Sequence, residues 1–393
     1  MKSPRLHPSP QILHCTRSDP REIAHMMDIQ GNFFPKRSSS MSTTMQVIEL
    51  NGPNRLSISQ RQVPETPVDG VLLKTSAVSI CSTDISHYHG NLLAEDYPVI
   101  LGHEYSGIVV DVGPECPSSL QGQRLAYFGQ TDFGGMAEYR ALRPLFAGDL
   151  RSSPFKTGRF FKDDERAAAI TLPDEISDSD APLIEPITAV LRSILTHPPA
   201  VGNRVLVLGG GPCGAIAGAI LQTLYATKSV AVLERNQARQ EIARSQYANF
   251  VFGSAEELRE SDDDAFDYVF DALPPLVNIE ADSCPRRAAM RAAKPGSKYV
   301  LYGASQTLQQ FDTWLLLAKG ITLASAAFDV DHFPMYKTAF VMKTAKELLL
   351  RRIIDPGWMM TNHMSFWRPQ EVIQFFAEYY TTPHLKTVIH FDQ

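Results

Sequence analysis

The second half of the sequence predicts an α/β fold with a doubly wound parallel sheet of the Rossmann type, and three observations carry that prediction. Residues 205–208 form a continuous apolar run, as expected of a parallel strand covered on both faces. Glycines follow at Gly209, Gly211 and Gly214 in "GGGPCG", and an apolar, helix-compatible stretch runs over 215–225. A second apolar run, 230–233, ends at the acidic Glu234, about 20 positions beyond the glycines.

A bare G-x-G-x-x-G reads equally as a flexible turn. The order strand, glycines, helix, strand, acid is what binding of a dinucleotide requires, because the glycines let the backbone approach a pyrophosphate whose charge rests on the helix N-terminus. Glu234 is suited to accept hydrogen bonds from the ribose hydroxyls and to repel a 2′-phosphate, so NAD is expected over NADP, with Arg235 beside it as the opposing feature. Pro212, Cys213 and Arg239 complete the expected cofactor set. Further strands are predicted at 250–252, 268–270, 298–302 and 321–328. Helix-compatible stretches at 237–245, 286–294 and 314–319 separate several of them, the alternation of a parallel sheet.

The chain has 393 residues, 44% of them hydrophobic and 20% charged, enough for two domains around substantial cores. A formal net charge of −6 without any basic stripe argues against nucleic acid as a partner. No apolar run reaches the length of a membrane span, so no membrane is expected either. Cys15, Cys81, Cys116, Cys213 and Cys284 are too few and too scattered for a disulfide framework, which predicts a reducing cytoplasm. Residues 1–44 mix proline, serine and scattered charge without periodicity and read as a disordered or accessory tail.

In the first half, "SICSTDISHYHG" at 79–90 places a cysteine, hydroxyl residues, an aspartate and two histidines after an apolar run. About 20 residues on, "PVILGHEYSGIVVDVG" carries His103 and Glu104 side by side, and "APLIEPITAV" carries Glu185 ahead of Pro186. Taken singly, these read as a core cysteine, a satisfied histidine and a surface glutamate. Taken with a dinucleotide fold, they are the donor types of a catalytic Zn²⁺ with one position open.

"CSTD" at 81–84, "GHEYSGIVVDVG" at 102–113, "GGMAEY" at 134–139, the Glu-Pro pair at 185–186 and "GGGPCG" at 209–214 occur together and in order. On these motifs the chain resembles, over residues 45–391, the zinc-dependent medium-chain dehydrogenase/reductase family of alcohol, polyol and threonine dehydrogenases. The resemblance implies a mainly β, GroES-like catalytic domain built from segments 45–191 and 329–393, flanking a nucleotide domain at 192–328. It implies Cys81 and His103 as zinc ligands, with Glu104 or Glu185 as the third. Thr83 matches the hydroxyl that takes the substrate proton, so Thr83, Cys81 and His103 form the expected catalytic set; Asp84 matches a residue supporting the metal ligands from behind.

Three positions depart from the family pattern. Ser82 stands where glycine is common, and Ser86 where a relay histidine is common, with His87 or His89 as substitutes. No four-cysteine lobe precedes "GGMAEY", which leads to an expectation of one catalytic zinc and no structural zinc. The expected activity is NAD-linked interconversion of a polyol, sugar or amino alcohol with its ketone or aldehyde. The alternatives are a metal-free NADPH-dependent carbonyl or enone reductase and a non-catalytic nucleotide-binding relative. Substrate choice is assigned to 151–169 and 328–363, and the resemblance implies a homodimer or homotetramer, with 321–328 as the apolar edge-strand candidate for the seam.

Overall fold

A computed structural model describes residues 43–92, 94, 96–128, 134–148, 167–260, 264–277, 279–303, 307–325 and 335–392. All but the last two residues of the expected tail 1–44 lie outside the described residues. So do 129–133 before the "GGMAEY" motif, 151–166 of the segment assigned to substrate choice, and 326–334.

Six strands form a wholly parallel sheet in the spatial order Phe250–Phe252, Ser229–Leu233, Arg204–Leu208, Phe266–Asp271, Ala293–Leu301, Thr322–Ser325. The chain runs outward from Arg204–Leu208 in one direction, returns, and runs outward in the other, so the order reverses beside that strand and opens a crevice at its carboxyl end. Val205–Leu208 and Val230–Val232 are almost wholly buried, as a strand covered on both faces requires. The helices Pro212–Leu224, Gln237–Gln246, Pro285–Ala292 and Thr313–Lys319 supply covering and crossovers. The Lys294-Pro-Gly turn is absorbed into the long strand Ala293–Leu301, where Gly296 takes a left-handed φ of 74°.

The second large sheet has eight strands among the described residues. Its main path runs Met360–Ser365, Lys386–His390, Val71–Ile80, Glu104–Val112, Arg124–Phe128, Ala167–Thr171, Pro144–Leu145, and Tyr139–Leu142 also pairs with Val71–Ile80. Strands from both ends of the described chain therefore meet in one sheet, since Lys386–His390 pairs antiparallel with Val71–Ile80. A small antiparallel sheet of Leu56–Gln62, Thr44–Leu50 and Val99–Ile100 lies beside it. The helix Ile184–Thr196 runs unbroken through the boundary expected at 191–192 and packs against the helix Met335–Leu350. Among the described residues, no helix is long and apolar enough to cross a membrane.

Candidate active site

Strand pairing brings the first-half residues together. Val71–Ile80 runs antiparallel to both Glu104–Val112 and Lys386–His390, so its carboxyl end lies beside the start of each neighbour. Ser79 is directly opposite Glu104, Ile80 is opposite Thr387, and Cys81 follows at once. Cys81 stays extended, at φ −96° and ψ 156°, and caps the short helix Ser82–Tyr88.

One carboxylate fixes this corner. Asp84 is fully buried; its Oδ2 accepts from the Cys81 backbone N–H at 2.8 Å, and its Oδ1 accepts from the Gly102 N–H at 2.9 Å. The same Oδ1 lies 3.8 Å from His103 Nδ1. Asp84 thereby ties the backbone that carries Cys81 to the backbone that carries His103, the supporting contact that orients metal ligands.

Cys81, His103 and Glu104 are all buried, and each offers a donor atom within 4.8 Å of the others. Glu104 Oε2 accepts from Ser79 Oγ and pairs with the buried Lys386 ammonium, while Glu104 Oε1 has no hydrogen-bond donor among the described residues. A buried carboxylate oxygen without a donor, beside a thiol and an imidazole, is a costly arrangement that a cation relieves. The donor set of sulfur, nitrogen and oxygen suits zinc. Burial, then the Glu104 carboxylate, push the Cys81 thiol well above its usual range, and the Lys386 ammonium opposes them. A metal must displace that proton, so binding at this cluster releases a proton and weakens in acid.

Glu185 stands beside this group and is not one of the three. It is the second residue of the helix Ile184–Thr196 and is buried. Burial pushes its carboxyl up to about 7, with His103, Lys386 and Arg192 pulling it down and Glu104 pushing it up. Arg192, two helical turns on, is buried with its guanidinium 5.2 Å from the Phe128 ring centre. Thr83 lies in the first turn of the helix Ser82–Tyr88, where its hydroxyl accepts from Cys81 Sγ at 3.6 Å.

The glycine turn closes the other side. Gly209 takes φ 87°, and a Cβ on Gly214 would lie 1.8 Å from the Gly209 carbonyl oxygen, so the turn is too tight for a side chain there. Gly211 caps the helix Pro212–Leu224, and a Cβ placed on it would meet only Arg239 Nη1, at 3.7 Å. That open approach to a helix N-terminus fits a pyrophosphate. Arg239 also donates to the His384 carbonyl at 3.0 Å. Glu234, at the end of the next strand, accepts from Gly210 N–H and from Asn236 N–H, both at 2.7 Å. Each oxygen keeps a lone pair for a hydroxyl. Arg235 is exposed.

The two halves of the site adjoin. Cys213, in the first turn after the glycines, is pushed up to about 12 by burial and then by Cys81; Lys386 and a hydrogen bond with Tyr302 oppose this. Lys386 and Tyr302 are absent from the set read off the sequence. A lysine opening the apolar strand Lys386–His390 was the available signal for the first; Tyr302, just past Ala293–Leu301, carried none.

A family model described as the alcohol dehydrogenase GroES-like domain matches residues 68–146. Sorbitol dehydrogenase of Homo sapiens is 27% identical over 342 residues, which is 84% of this chain and 92% of that enzyme. The solved structure of a short chain alcohol dehydrogenase, rspB, from E. coli CFT073 in complex with NADH superposes with a TM-score of 0.69 at 21% identity, covering 89% of this chain and all of the other. A zinc-binding dehydrogenase from Sinorhizobium meliloti 1021, bound to NADP, superposes at 0.66 with 19% identity and the same coverage. These likenesses support the medium-chain dehydrogenase/reductase family of alcohol and polyol dehydrogenases. The chain is an alcohol dehydrogenase-like oxidoreductase.

Proposed function

We propose that the protein is a zinc-dependent, NAD-linked dehydrogenase that interconverts a polyol, sugar or amino alcohol with its ketone or aldehyde. The observation that carries this reading is the convergence of buried Cys81, His103 and Glu104 donors within 4.8 Å of one another, next to the glycine turn. Bound zinc would polarise the substrate oxygen and lower the pKa of its proton, and bound NAD would take the hydride.

The chain's own residues do the rest. Cys81 and His103 hold the metal, with Glu104 Oε1 or Glu185 as the third donor. Asp84 keeps the two ligand-bearing backbones in register. Thr83 takes the proton of the substrate hydroxyl. Lys386 neutralises Glu104, which keeps a carboxylate tolerable in a buried site. Gly209, Gly211, Pro212, Cys213 and Gly214 bring the helix N-terminus to the pyrophosphate, with Arg239 above Gly211 and Glu234 beneath the ribose. We assign one zinc per chain.

The test is zinc content by atomic absorption, followed by NADH formation over a panel of polyols, sugars and amino alcohols with and without chelator. About one zinc per chain and chelator-sensitive turnover support the reading. Metal-free protein that reduces ketones or enones with NADPH would favour the metal-free reductase, and nucleotide binding with no turnover the non-catalytic relative. For the cofactor, Glu234→Gln should narrow a preference for NAD, because it removes the charge that opposes a 2′-phosphate. A wild-type kcat/KM higher with NADP would contradict the NAD assignment.

A further inference from the structure

The outer edge of the eight-stranded sheet carries a pair of histidines that the Cys81 cluster does not use. Met360–Ser365 is the last strand of that sheet and pairs parallel with Lys386–His390, with His363 opposite Val388 and Ser365 opposite His390. Side chains two apart on a strand share a face, so His363 and His390 stand diagonally on the same one. His363 Nδ1 lies 2.9 Å from His390 Nε2, and the rings are within 8° of parallel with their centres 5.2 Å apart. His363 is exposed and His390 half-buried.

The frame beneath the pair is held at both ends. The His390 carbonyl accepts from the Phe366 N–H at 2.8 Å, the Phe391 N–H donates to the Ser76 carbonyl at 3.0 Å, and Trp367 Nε1 donates to the Phe391 carbonyl at 3.1 Å. His390 is opposite Ala77 and Thr387 is opposite Ile80, so the pair lies about 10 Å along the strand from the end that leads into Cys81.

Two imidazole nitrogens this close share one hydrogen, one ring donating and the other offering its lone pair. When the donor takes its other tautomer, both facing nitrogens offer a lone pair and a cation can stand where the hydrogen stood. With metal–nitrogen distances of about 2.0–2.1 Å, two ligands on one ion stand about 3 to 3.4 Å apart, so the rings need to part by no more than about half an ångström. Burial, then His363, lower the His390 pKa from its usual 6.5, while Asp392 and Asp178 raise it. The ring is therefore neutral near pH 7, the form that binds a metal. Asp178 is paired with Arg124, which leaves Asp392, two residues along the chain from His390, as the carboxylate to offset a cation's charge.

We propose that His363 and His390 form a second metal site, open to solvent, for a late first-row divalent cation such as Ni²⁺, Cu²⁺ or Zn²⁺, with water in the remaining positions. Imidazole donors suit these ions. The site is independent of the dehydrogenase reading. With two protein donors against the three of the Cys81 cluster it holds metal more weakly, so the purified chain keeps only the catalytic zinc.

Two measurements test the second site. In the first, Ni²⁺ alone is titrated by calorimetry into wild type, His363→Gln and His390→Gln, with zinc content measured before and after. Wild type should take up one further ion per chain without losing zinc. Each variant should bind that ion at least roughly tenfold more weakly and keep the wild-type zinc content. The second needs no variant: in wild type with ¹⁵N-labelled histidine, Ni²⁺ added below one equivalent should broaden the ring resonances of His363 and His390 first and leave those of His197 and His384 sharp. Wild type that takes up no ion beyond its zinc, uptake unchanged in both variants, or broadening that starts at other histidines would overturn the site. A wild type purified without zinc that still takes up Ni²⁺ through His363 and His390 counts against the zinc-dependent reading and leaves this site standing.

Discussion

Glu185 and Glu104 are two buried carboxylates near one another, and their surroundings give them opposite tasks. Glu104 has the buried Lys386 ammonium against one oxygen. No ammonium among the described residues forms an ion pair with Glu185, and burial raises its carboxyl to about 7. A carboxyl with a raised folded-state pKa binds a proton that the unfolded chain has already lost, so in the metal-free protein it costs stability as pH rises from the ordinary carboxylate range through 7. Glu185→Gln should leave the zinc-free protein's stability near wild type at pH 4 and raise it by on the order of 2 kcal/mol at pH 8. Denaturant melts of both proteins at the two pH values check this; a difference that does not grow with pH would contradict the assigned shift.

The glycine turn and the cysteine helix place these residues, and each shows how much a linear reading captures. The strand, glycines, helix and acid at 205–234 are legible because their requirements are local: a covered strand, a turn without side chains, a helix N-terminus. Gly214 is the sharpest case. With a Cβ 1.8 Å from the Gly209 carbonyl, Gly214→Ala must deform the turn, so NAD affinity should fall by more than roughly tenfold while zinc content stays at the wild-type level. Gly211→Ala should be milder. Equal effects of the two in calorimetry would show that close approach is not what the glycines serve.

The donor types at 81, 103 and 104 are readable along the chain, but their convergence depends on antiparallel register between strands about thirty residues apart. Lys386 enters through a strand some three hundred residues away, so no local pattern announces it. The helix Met335–Leu350 was missed for another reason. Its buried positions, Thr338, Ala339, Val341, Met342, Ala345, Leu348 and Leu349, follow helical spacing, but the exposed Phe340 and Leu350 blur it.

At the scale of the molecule, the parallel sheet ends at Thr322–Ser325, whose outer edge pairs with nothing among the described residues. Leu323 on it is 40% exposed, and Trp314 and Leu317 on the adjacent helix Thr313–Lys319 are 71% and 77% exposed. An open strand flanked by apolar side chains is a surface that soluble chains cover. We propose that two copies cover it mutually in a homodimer; 326–328 of the expected edge strand lie outside the described residues. Trp314→Glu with Leu317→Glu should convert a dimer to monomer in sedimentation equilibrium at micromolar concentration. A monomeric wild type would contradict the assignment.

The central claim is that the corner formed by Cys81 and His103 holds a working metal independently of the nucleotide turn. The most direct measurement is zinc content, turnover and NAD binding for wild type, Cys81→Ser and His103→Ala purified side by side. Wild type should carry about one zinc per chain. Each variant should hold nearly none and turn over at least roughly a hundredfold more slowly, with NAD binding still measurable by calorimetry. Wild-type protein without zinc, whose activity is indifferent to chelator and to Cys81→Ser, would make Cys81 an ordinary core thiol and contradict the account.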